Sequence, residues 1–71
     1  MRYTVVIEKG PTSFGAYVPD LPGCVAAAET KPEVLRLIRE AISFHLEAMR
    51  EEGLSIPESL SSAESVEVAV A

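Results

Sequence analysis

The chain has 71 residues, 48% of them apolar and 24% charged, a balance that fits one small folded domain and leaves no room for a second. Its net charge of −5 comes from eleven acidic and six basic residues. The bases Arg2, Lys9, Lys31, Arg36, Arg39 and Arg50 are scattered, so direct nucleic-acid binding is not expected. A single cysteine excludes an internal disulfide, no secretory signal opens the chain, and no apolar run approaches the ~20 residues of a membrane-crossing helix, so a cytoplasmic location is expected.

Tyr3, Val5 and Ile7 alternate with Thr4, Val6 and Glu8, predicting a half-buried strand over residues 2–8. Gly10 and Pro11 break the pattern as a hairpin connection does, and Phe14, Ala16 and Val18 resume it, predicting a second strand over 13–18. In Pro19-Asp20-Leu21-Pro22-Gly23 the prolines fix φ, and Pro22-Gly23 suits the central positions of a type II turn. A short third strand follows over 24–29, where Ala26, Ala27 and Ala28 allow close approach of another element.

Thr30-Lys31-Pro32-Glu33 is a helix start, with Thr30 as cap, Pro32 in the first turn and Glu33 placed to reach back to the cap N–H. The helical pattern runs to Glu52 and stops at Gly53, a left-handed C-cap. Its apolar arc is wider than one sheet face needs, so part of it is expected to meet a second subunit, with Phe44, His45 and Met49 as candidate interface residues. Residues 54–60 read as a connection, and Val66, Val68 and Val70 alternate with Glu67 and Ala69, predicting a fourth strand. The expected fold is α+β in the order β-β-β-α-β, an antiparallel sheet with one long helix on one face. The first three strands should form a meander, with the last at an edge or paired across a dimer. A domain this short buries only about 60% of its unfolded surface, so a homodimer or larger assembly is expected.

The residues for chemistry are few. One cysteine and one histidine make no zinc site, and no triad can be built around His45, whose place on the apolar arc is that of a buried or interface histidine. Cys24 reads as a small buried hydrophobe with no neighbouring base to activate it. Gly10 and Gly15 do not form a phosphate loop, because neither sits between a strand and a helix. Among the carboxylates off the helix (Glu8, Asp20, Glu29 and Glu64), only Asp20 lies in rigid backbone, where accepting turn N–H groups is its ordinary role. A metal-dependent nuclease using Asp20 with Glu8 or Glu29 is the enzymatic alternative, and one fixed carboxylate does not make a two-metal site. No enzyme, metal or cofactor is therefore expected.

Phe14-Gly15-Ala16-Tyr17-Val18-Pro19-Asp20-Leu21-Pro22-Gly23-Cys24, followed by Glu29-Thr30, Glu40-Ala41-Ile42 and Gly53-Leu54-Ser55-Ile56-Pro57, resembles the HicB-like antitoxin family in order over residues 2–58. The resemblance implies one HicB-like domain over 1–71 with a partial RNase H-like fold that lacks the nuclease's acidic site. It further implies a type II toxin-antitoxin partner, a small basic HicA-like toxin that cleaves messenger RNA and is neutralised by protein contact. Phe14, Tyr17, Asp20 and Leu21, around the rigid turn, are the candidate contacts. The alternative is an orphan oligomeric interaction domain without a toxin.

Two departures stand out. The 18 residues after Gly53 hold no basic helix for the DNA-binding domain that many family members append, and Ala28 occupies a position where the family commonly has glycine. If that position needs a positive φ, Ala28 is strained.

Overall fold

The computed structural model describes residues 1–70, so the last residue of the expected domain lies outside the described residues. Three strands, β1 (Val6–Lys9), β2 (Phe14–Tyr17) and β3 (Val25–Ala28), precede one helix, α1 (Lys31–Glu51). The sheet is an antiparallel meander in the order β1-β2-β3, with Ile7 opposite Ala16 and Ala16 opposite Ala26. The expected α+β class holds, with the long helix on one sheet face.

β1 begins four residues later than the alternation predicts, for a reason of pairing. Val6 is opposite Tyr17, and the chain leaves the sheet immediately after Tyr17 to enter the proline turn, so residues 2–5 have no ladder partner on β2. The N–H of Val18 goes to the carbonyl of Cys24 at 3.2 Å, closing the turn rather than extending the strand.

Period-two alternation sends Ala16, Ala26 and Ala28 towards the helix, where Val34 and Ile38 meet them. The core is Ala16, Val18, Leu21, Cys24, Val34 and Ile38, and the alanines of β3 let the helix lie close. α1 packs on β3 and β2 and leaves the outer side of β1 uncovered.

Both helix ends follow the sequence signals, with one change. Thr30 is extended (φ −127°, ψ 155°) and its hydroxyl accepts from the Glu33 N–H at 3.3 Å. The Glu33 carboxylate does not reach back to the cap; it accepts from Arg36 at 3.3 Å, because an exposed guanidinium one turn along competes for it. At the far end Gly53 (φ 73°) donates to Arg50 and Leu54 donates to Met49, the paired bonds of a Schellman stop. The positive-φ residues are Gly23 and Gly53 alone among the described residues, so Ala28 sits in ordinary backbone without strain.

The predicted fourth strand does not form. From Leu54 to Val70 the chain has no helix or strand, and Val66, Val68 and Val70 are 78, 72 and 88% exposed. A strand requires a hydrogen-bonding neighbour, and residues 62–70 are exposed and pair with neither edge of the sheet. No helix among the described residues is long and apolar enough to cross a membrane.

Candidate partner-binding site

The turn after β2 is built from two consecutive four-residue turns. Leu21 N–H donates to the Val18 carbonyl at 3.0 Å, and Cys24 N–H to the Leu21 carbonyl at 3.0 Å. Pro22 at the second position and Gly23 at φ 86° make the second of them type II, as the sequence predicts. Leu21 thereby points inwards and is fully buried, with Val18 and Cys24 buried beside it.

Asp20 at the tip faces outwards and meets a part of the chain 40 residues away. The N–H groups of Leu60 and Ser61 donate to its Oδ2 at 3.1 and 3.0 Å, and the Ser61 hydroxyl donates to Oδ1 at 2.9 Å. The Ser61 N–H, acting on the ionised form, holds the carboxyl below its usual range, with further help from the Ser61 hydroxyl and the Leu60 N–H against some desolvation. The sequence-based reading, in which Asp20 accepts from its own turn, is corrected here: the donors come from the C-terminal segment. Two further bonds fix that segment, from the Tyr3 hydroxyl to the Pro57 carbonyl and from Thr4 Oγ1 to the Ser61 carbonyl at 2.6 Å. Residues 57–61 are thus clasped against the N-terminal residues and the proline turn.

The four candidate contacts do not form one surface. Leu21 has no exposed area and anchors the turn, and Phe14 is half-buried against the core. Asp20 has its carboxylate engaged with residues 60 and 61. Tyr17 alone projects from the sheet face opposite the helix, where it is 40% exposed. On that face the register places Val6 and Val25 directly across from it, so that Val6, Tyr17 and Val25 form one cross-strand row. Val25 is 64% exposed, an apolar side chain on an uncovered sheet face. Gly15 and Ala27, next to the row, add no bulk, and Glu8 supplies negative charge at the edge. Sequence reasoning missed Val6 and Val25. The signal was there: β3 has its alanines at 26 and 28 on the core side, which puts Val25 outside.

The helix candidates are also divided. Phe44 and Met49 are five positions apart, which sets them about 140° apart around the helix. Phe44 is 76% exposed beside a shallow depression shared with Glu47, Ala48 and Glu51, while His45 and Met49 are half-buried. Cys24 is a buried free thiol, and burial pushes its pKa up. No group of three or more metal-ligating side chains converges among the described residues.

Comparison with known proteins adds the following. Residues 3–70 match the family described as HicB_like antitoxin of bacterial toxin-antitoxin system. A 14.9 kDa protein of the rep-hol intergenic region of Haemophilus phage HP1 is 42% identical over 59 residues, covering 83% of this chain and 44% of its own length, so the chain spans under half of that relative. The UPF0150 protein Ta0767 of Thermoplasma acidophilum is 40% identical over 58 residues, covering 80% of this chain and 84% of the relative. Among solved structures, a chain of a HicA3 and HicB3 toxin-antitoxin complex superposes with a TM-score of 0.71 at 32% identity, over 84% of this chain and 70% of that one.

Proposed function

Because the chain belongs to the HicB-like antitoxin family, we propose that it is the antitoxin half of a type II toxin-antitoxin pair and neutralises a small, basic, RNA-cleaving HicA-like protein by contact. The observation that carries this reading is the likeness, in both fold and sequence, to a chain from a HicA3 and HicB3 complex. It acts as a binding module in the cytoplasm and performs no chemistry of its own. The surface best suited to the partner is the open sheet face, where Val6, Tyr17 and Val25 supply an apolar row and Glu8 an acidic margin. An apolar centre desolvates on contact, and the chain's charge of −5 speeds and orients encounter with a basic protein. Self-association completes the proposal, since so small a core leaves much apolar surface uncovered.

The test is genetic. The product of the reading frame that adjoins the one for this chain is induced alone and then together with it. Growth arrest relieved by co-expression supports the reading, and arrest that persists with soluble chain present overturns it in favour of an orphan interaction domain.

A further inference from the structure

The exposed segment after Ser61 has the composition of a strand and lacks a neighbour. Glu64, Val66, Val68 and Val70 share one face of an extended chain, and Ser65, Glu67 and Ala69 the other. Ser61 is clasped by Asp20 and Thr4, and every residue from 62 to 70 is exposed. The consequence is visible in the dimensions. The chain measures 52 × 27 × 17 Å with a radius of gyration of 14.3 Å, against about 11 Å for a compact domain of this length. Its accessible surface is 5698 Å², roughly 1,400 Å² more than a compact monomer of its mass exposes.

On the body, one groove of about 620 Å³ matches that segment. Arg2, Tyr3 and Val5 form one wall and Leu35, Arg39 and Ile42 the other, in the space that α1 leaves open beside β1. Because β1 is an edge strand and residues 2–5 have no ladder partner, the groove is flanked by unpaired backbone groups. The helical wall from Leu35 to Leu46 is roughly 16 Å long, and an extended segment from Glu64 to Val70 roughly 20 Å. The charges are complementary: the groove carries Arg2 and Arg39, neither in an ion pair among the described residues, and the Val face of the segment carries Glu64.

We infer that residues 62–70 of one copy dock in the β1–α1 groove of a second copy, in a reciprocal exchange that gives each body its fourth strand. The occupant is a second copy because the segment leaves its own body at the clasped Ser61 and does not turn into its own groove. A two-fold pair buries the same patch on both partners, and the excess surface of each copy exceeds the roughly 800 Å² per partner that a stable interface of standard size buries. The Val face covers the apolar groove floor, and Glu64, at the start of that same face, meets the arginines at its margins. This rests on the self-association half of the proposed function and is independent of toxin binding.

Sedimentation of full-length chains tests it with two charge-reversed variants, Arg2→Glu/Arg39→Glu and Glu64→Arg. The wild type sediments as a dimer at micromolar concentration, and each variant alone dissociates at least about tenfold more readily, because like charges face each other. Mixed in equal amounts, the variants recover wild-type association, since both exchanged contacts are then complementary. Val66→Asp/Val68→Asp, exposed and therefore harmless to the body, is monomeric with unchanged helical circular dichroism. A wild-type dimer with no recovery in the mixture overturns the exchange while leaving self-association intact; a monomeric wild type overturns both.

Discussion

Asp20 shows how one side chain ties distant parts of the chain together. Its oxygens take three donors from residues 60 and 61, and the folded-state pKa is lowered as a result. A lowered carboxyl pKa means that its stabilising contribution is complete above the unfolded value near 4 and is lost as pH falls through the lower folded value. Protection of the Leu60 and Ser61 amides, relative to their intrinsic exchange rates, should therefore fall as the pH drops below about 4 in the wild type and be low even at neutral pH in Asp20→Asn, with the helix amides unaffected. Gly23 carries a different constraint. At φ 86° a Cβ meets no neighbouring atom, so Gly23→Ala has no steric clash to relieve and its cost is conformational alone, about 1–2 kcal/mol, read as a lower denaturation midpoint. Cys24, buried with a raised pKa, should resist alkylation at pH 8 until denaturant is added.

At the level of elements, the caps and turns were readable because their causes are local. Thr30, Pro32, Pro22-Gly23 and Gly53 act within four residues of themselves, and each does what its chemistry requires. Thr30→Ala should cost about 1 kcal/mol, measured by chemical denaturation, since only one first-turn donor loses its partner. Leu21→Ala, which empties a fully buried site between the turn and α1, should cost about 2–5 kcal/mol in the same assay. What the sequence did not disclose has non-local causes. The strand over residues 2–5 failed because β2 ends at the proline turn, and the Asp20 clasp joins residues 41 apart. The alternation of Val66, Val68 and Val70 is sound strand chemistry, but alternation specifies a face and not the neighbour that must supply the hydrogen bonds.

For the whole molecule, two uncovered surfaces with different chemistry lie on different sides of one small body. The groove between β1 and α1 is apolar with basic residues at its margins, and complements the chain's own acidic segment. The open sheet face is apolar with an acidic margin, and complements a basic protein. On the proposed assembly, self-association uses the first surface and the proposed toxin contact the second, so the two do not compete. The candidate contacts read from the turn sequence were near this face but not on it, except for Tyr17, because the same rigid backbone that marks the turn also drives Leu21 into the core.

The most direct measurement is calorimetric titration of a small basic HicA-like protein from the same genome into this chain and into Val25→Asp, whose substitution lies on the exposed sheet face. The account predicts stoichiometric binding by the wild type, with inhibition of RNA cleavage. It also predicts a loss of affinity of at least about tenfold for Val25→Asp with its folding midpoint unchanged. Binding of equal strength by both proteins would contradict the open sheet face as the toxin-binding surface, and no binding by the wild type would contradict the antitoxin function itself.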